Sequence, residues 1–215
     1  MPQVAVNGVS LHYEETGQGT PLVFVHEFAG DHRSWEHQLR FFGRRFRTVA
    51  YNARGYPPSD VPADPAAYSQ DIAIADLLAL LDALDIDKAH LCGLSMGSYT
   101  ALLTGLRHPD RVRSMTISGS GYGSGTTRQE FHDKVEGMAQ RFETEGVEAV
   151  ARDYCQGATR VQHQNKDPRG WQEFYEQFCD HSPVGSANTL RGVQKDYEHA
   201  MTELRYIRSQ FSPSA

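Results

Sequence analysis

What this chain lacks excludes several classes at once. Its 215 residues contain three cysteines, Cys92, Cys155 and Cys179. They are odd in number and widely scattered, so there is no disulfide framework, and reduced thiols in a cytoplasmic protein are expected. No cysteine pair has metal-ligand spacing, and the ten histidines include no H-x-x-x-H, so spacing points to no metal and no cofactor. Glu27 and His32 are the one such neighbourhood to keep in view. No apolar run reaches about 18 residues, which excludes a membrane-spanning helix of the usual length. Met1-Pro2-Gln3-Val4 has neither the basic nor the apolar region of a signal peptide. No basic run exists and the formal charge is −6, so nucleic acid is not an expected partner. Hydrophobic residues make up 39%, modest for a sheet buried on both faces but enough for one core with a small appended subdomain.

What is present reads as strands alternating with helices. Gln3–Val6 and Val9–Glu15 alternate around Asn7-Gly8, a strong hairpin signal, with Leu11 and Tyr13 on one face. Leu22-Val23-Phe24-Val25 is apolar throughout, as a strand covered on both faces should be. A short helix at Trp35–Phe42 and a strand at Phe46–Tyr51 follow. Pro57-Pro58 then forbids a helix in the next loop. Ser69 caps a helix running to about Leu84, with Ile72, Leu77, Leu80, Leu81 and Leu84 as its buried stripe. Ala89–Leu94 and Arg113–Ser118 are two further strands flanking a helix that ends near Arg107-His108-Pro109. The glycine-rich stretch 119–125 marks a boundary. Beyond it no strand is evident: Arg128–Glu145, Val147–Tyr154, Trp171–Cys179 and Ser186–Gln210 read as helices. The expected class is α/β, a doubly wound, mostly parallel sheet with an N-terminal antiparallel hairpin. Residues 1–120 would form the core, 121–195 a helical cap and 196–215 a C-terminal helix or tail.

The functional signal is Gly93-Leu94-Ser95-Met96-Gly97, a G-x-S-x-G between a strand and a helix. A serine at that corner is forced into a strained conformation that lifts Oγ clear of the sheet. The N–H of Met96 and the dipole of the new helix aim at the same spot.

Four motifs in order resemble the α/β-hydrolase superfamily, more narrowly the small bacterial esterase, lactonase and C–C hydrolase type with a helical cap. V-F-V-H-E-F-A-G is similar to its strand and H-G loop, and Y-N-A-R-G-Y-P-P-S-D to its D-x-R-G-x-G-x-S loop. G-L-S-M-G is similar to its nucleophile elbow, and L-R-H-P-D-R-V to the exit from the following helix. The resemblance implies Ser95 as nucleophile and the N–H groups of Met96 and Phe28 as oxyanion hole. His26 and Arg54 would order their loops. The implied activity is hydrolysis of a small ester, lactone or related acyl compound through an acyl-enzyme on Ser95, with Trp171, Phe174, Tyr175 and Phe178 as provisional lining of the lid.

Three departures stand out. Glu27 replaces the family's usual glycine and reads as an outward-facing ion pair with Arg33 or Arg54. Asn52 replaces the usual aspartate, which subtracts one charge. The third is larger: the family's acid and histidine follow the nucleophile, after strands beyond the cap, and after Leu190 neither a strand ending in Asp nor a Gly-His loop is found. The triad acid and base are therefore unassigned. His108 is excluded, about 20 Å away along the helix after Ser95. Asp180-His181 diverge by about 100° if helical, and His199 with Glu203 at i, i+4 pair on one face. The alternative reading follows: a truncated, catalytically incomplete hydrolase fold acting as a binding or interaction protein. Its Arg113–Ser118 edge would be covered by residues 196–211 or by a second copy in a homodimer.

Overall fold

The computed structural model describes residues 2–120, 128–158 and 160–196. Six strands form one sheet in the order β1-β2-β4-β3-β5-β6. β1 (Gln3–Val6) and β2 (Val9–Thr16) make the antiparallel hairpin. Asn7 and Gly8 both take positive φ, 44° and 77°, the turn whose twist matches that of its strands. β2 then runs antiparallel to β4 (Arg47–Tyr51). β4, β3 (Pro21–Val25), β5 (Ala89–Leu94) and β6 (Val112–Ser118) are parallel. The doubly wound, mostly parallel sheet with its antiparallel hairpin is thus present.

Period-two alternation divides the strands between two cores. Val23, Val25, Val49, Tyr51 and Leu91 face α2 (Gln70–Ala83) and α3 (Met96–Arg107), where Leu77, Leu80 and Leu81 are fully buried. Phe24 and Ala50 face the other way, against Trp35 and Leu39. Trp35 closes a short 3-10 turn and Leu39 lies in α1 (Glu36–Phe42), so the single helix expected at Trp35–Phe42 is a 3-10 turn leading into an α-helix. The Ser69 hydroxyl accepts from Ile72 N and caps α2. In the stripe of α2, Ile74 is buried and Ile72 only partly so.

Five helices form a layer over the loops: α4 (Arg128–Glu145), α5 (Val147–Cys155), α6 (Val161–Lys166), α7 (Pro168–Cys179) and α8 (Pro183–Gly192). Among the described residues there is no strand after β6. This helical cap shares one apolar cluster with the sheet domain. Phe28 from the loop after β3 meets Phe142 and Phe178 edge-to-face, with ring centres 6.0 and 6.2 Å apart. Such a triad of rings joins cap and core by burial and by aromatic geometry.

α8 ends at Gly192 and is followed by a 3-10 turn at Gln194–Asp196, so the long helix expected over Ser186–Gln210 is shorter within the described residues. The stretch 121–127 and residues 197–215, with His199, Glu203 and the tail expected to cover the sheet edge, lie outside the described residues. Among those described, β6 is an outer strand, with residues 113–116 exposed.

Candidate active site

Ser95 stands at the β5–α3 corner with φ 51° and ψ −114°, a conformation that costs a non-glycine residue of order 1–3 kcal/mol. The surroundings enforce it. Ser95 N donates to Ser118 O of β6 at 2.8 Å, and Ser95 O accepts from Ser98 N at 3.0 Å to start the helix. Its two glycine neighbours are obligatory on steric grounds: a Cβ at Gly93 would lie 2.4 Å from Gly97 O, and one at Gly97 would lie 2.2 Å from Val25 O. The helix must press this close to the strands for the corner to form.

The corner opens into a cavity of about 470 Å³. Ser95, Phe28 and Glu27 supply its floor, while Phe131, Val135, Met138 and Leu190 from α4 and α8 give it apolar walls. Lys134, Tyr154, Arg160 and Gln194 add polar groups. The elbow serine and the residue after the His-Glu pair therefore border one space. Met96 is the first residue of α3, so its N–H has no intrahelical carbonyl to meet.

His26 is buried and engaged at both ring nitrogens. Nδ1 lies 2.7 Å from Glu27 O, and Nε2 accepts from Ala53 N at 3.1 Å. A carbonyl can only accept, so Nδ1 carries the proton. Burial lowers the pKa of this imidazole, against the pull of its carbonyl partner. The ring ties the loop after β3 to the end of β4. Arg54 makes two hydrogen bonds to the Asp76 carboxylate of α2, 2.6 and 2.7 Å, and a third to Ala67 O.

Glu27 corrects an expectation. It is buried, and its partner is Arg160 of the cap, not Arg33 or Arg54. Arg33 is taken by Asp31 and Asp180, and Arg54 by Asp76. Arg160 also donates to the Tyr154 hydroxyl and lies over the Tyr154 and Phe174 rings. Burial is the largest single influence and works against its charge, but Glu27 and Tyr154 together outweigh it and the guanidinium pKa is raised. Sequence reasoning missed Arg160 and Tyr154: they sit in cap segments without motif, where charged and aromatic residues are ordinary.

The α7 aromatics correct another. Phe178 is fully buried in the cap core, Trp171 donates to Cys155 O at 3.0 Å, and Trp171, Phe174 and Tyr175 pack partly buried against that core. None lines the Ser95 cavity.

No described histidine or carboxylate hydrogen-bonds Ser95. Asp180 pairs with Arg33, whereas His181 faces Asp31, 3.9 Å from Nε2 to Oδ2. His181 packs between the Tyr56 and Phe178 rings, and burial depresses its pKa to about 4. Among the described residues one group of three potential metal ligands meets, His12, Glu14 and His32, and none of them lines this cavity.

A family model described as alpha/beta hydrolase fold matches residues 20–193. Epoxide hydrolase 2 of Siraitia grosvenorii is 34% identical over 113 residues, 52% of this chain and 36% of the relative. 3-Oxoadipate enol-lactonase 1 of Acinetobacter baylyi is 38% identical over 99 residues, 46% of this chain and 36% of the relative. The match thus spans about a third of each curated relative's length. Among solved structures, the enol-lactonase from Burkholderia xenovorans LB400 superposes with a TM-score of 0.79 at 26% identity, covering 89% of this chain and 73% of that one.

Proposed function

Because this chain belongs to the alpha/beta hydrolase fold family, we propose that it acts as a hydrolase on a small ester, lactone or related acyl compound, with Ser95 as nucleophile. The observation that carries this reading is the strained elbow serine opening, beside Phe28, into an apolar-walled cavity. The enol-lactonases among the similar proteins support the lactone class.

In this mechanism the acyl carbonyl lies over Ser95 Oγ. Attack forms a tetrahedral intermediate whose oxyanion takes hydrogen bonds from the N–H groups of Met96 and Phe28. Collapse expels the alcohol or opens the lactone, and water then hydrolyses the acyl-enzyme. The Oγ proton needs an acceptor. Among the described residues no histidine hydrogen-bonds Ser95, and the carboxylate in the cavity, Glu27, is held by Arg160, so no described side chain is placed to take this proton.

A fluorophosphonate probe tests the nucleophile. Labelling of the wild-type chain that is lost in Ser95→Ala is the expected result, and equal labelling of both would sink the assignment. A second reading, ligand binding without turnover, is favoured by that lack of a described proton acceptor. An oxyanion hole acting alone leaves catalysis only about 10³–10⁴ over water. Under this reading the cavity takes up an acyl ligand while p-nitrophenyl acetate turnover stays at that residual level.

A further inference from the structure

On the sheet face opposite Leu11 and Tyr13, β2 presents His12 and Glu14, and the 3-10 turn after β3 brings His32 against them. The two imidazole rings meet edge-to-face at 4.4 Å between centres. One donor atom from each of the three side chains lies within 4.8 Å of the others, and His32 Nε2 is 3.5 Å from Glu14 Oε1. His12 is fully buried and its Nε2 has no hydrogen-bond partner.

The tautomers of both rings follow from their outer partners. His12 Nδ1 lies 3.1 Å from Pro2 O, and a carbonyl can only accept, so Nδ1 carries the proton. His32 Nδ1 lies 2.7 Å from Asn52 Oδ1. The orientation of that carboxamide is set by its other contacts: Nδ2 donates to Tyr56 O and Pro57 O, and Oδ1 also accepts from His32 N. His32 Nδ1 is therefore a donor as well. With each Nδ1 engaged by its outer partner, Nε2 is the ring nitrogen left on each side, and the three side chains bring one ligand atom each within 4.8 Å of the others. Lone pairs gathered in this way repel one another unless a cation or a proton lies among them. A carbonyl or carboxamide behind each imidazole is the arrangement that orients metal-bound histidines.

We propose that His12 Nε2, His32 Nε2 and the Glu14 carboxylate bind a divalent transition metal of the Zn²⁺ class, apart from the Ser95 cavity. Two nitrogens and one oxygen suit that ion, and tetrahedral coordination places donors about 3.3 Å apart. The half-exposed Glu14 side chain gives the ion its path in and leaves a fourth position to water. Bound there, the metal ties β2 to the loop that leads from β3 into α1. Asn52, where the related pattern has aspartate, serves here as the carboxamide that sets the His32 tautomer.

Calorimetric titration of the tag-free, chelator-stripped 215-residue chain with ZnCl₂ at pH 7.5 tests this. One equivalent is expected to bind, with His32→Ala abolishing that event and Glu14→Gln weakening it at least about tenfold. Glu14 is half exposed, so its variant keeps the fold if His12→Ala does not. Saturating Zn²⁺ should raise the wild-type melting temperature by about 5 °C and leave that of His32→Ala unmoved. Absence of a saturable equivalent overturns the proposal, as does wild-type binding by both Glu14→Gln and His32→Ala.

Discussion

Glu27, beside the residue assigned to the oxyanion hole, is ion-paired with Arg160 of the cap across 133 positions of sequence. The loop that presents Phe28 and the helices that roof the cavity are thereby joined at the cavity's own wall. Both side chains are largely removed from water, so the pair is costly to break from one side.

Glu27→Gln strands the Arg160 charge and should destabilise the fold by about 3 kcal/mol. Arg160→Met in the same background should recover part of that loss. A urea double-mutant cycle measures the coupling, and additive single effects would show that the pair contributes nothing. If esters are turned over, Glu27→Gln should also lower KM for an anionic ester relative to a neutral one, because the guanidinium is freed to meet it.

Gly97→Ala should be among the most damaging conservative changes in the chain. Its Cβ would lie 2.2 Å from Val25 O and 2.6 Å from His26 O, both backbone atoms that cannot swing away. A loss of about 3 kcal/mol or more is expected from such overpacking. The midpoint of urea unfolding reads it, and an unchanged midpoint would contradict the close approach of α3 to β3.

Arg54 and Asp76 form a second pair, with side chains 10% and 3% exposed. Asp76→Asn keeps the shape but leaves the guanidinium uncompensated, at a cost of about 3–5 kcal/mol. Arg54→Met with Asp76→Leu should be far less harmful than either change alone. Chemical denaturation of the three variants distinguishes this from simple additivity.

His181 makes stability depend on pH. Its folded pKa of about 4 lies below the ordinary 6.5, so the unfolded chain takes up the proton first. Stability from this residue is complete above about pH 6.5 and falls as pH drops towards 4. Over that window the loss reaches about 3 kcal/mol, at 1.36 kcal/mol for each pH unit. Both ring nitrogens are buried without a partner, and rings of Tyr56 and Phe178 flank the site. His181→Phe should therefore raise stability at neutral pH by about 1 kcal/mol and flatten the decline between pH 6.5 and 4. Parallel slopes for the two proteins would sink the idea.

The elements most legible in the sequence were those whose causes are local. Asn7-Gly8 supplies two residues tolerant of positive φ, Ser69 has a hydroxyl three residues before the N–H it caps, and the glycines around Ser95 leave room for the corner. The apolar run Pro21–Val25 is a central strand for the same reason, since both of its faces are covered. At the site, Ser95 and Phe28 were legible because motif and strand end place them at one edge of the sheet.

What no local pattern contains is the choice of partner across the fold. Backbone sterics and hydrogen-bond periods act over a few residues, so composition and spacing alone determined the strand–helix alternation, the hairpin and the elbow. Charge pairing and packing act between whichever surfaces the folded chain brings together. Tertiary structure alone decided that Glu27 meets Arg160 rather than Arg33 or Arg54, and that the α7 aromatics fill the cap core. It alone set His12, Glu14 and His32 around one point, because a strand pleat and a turn some twenty residues on converge only once the sheet has formed.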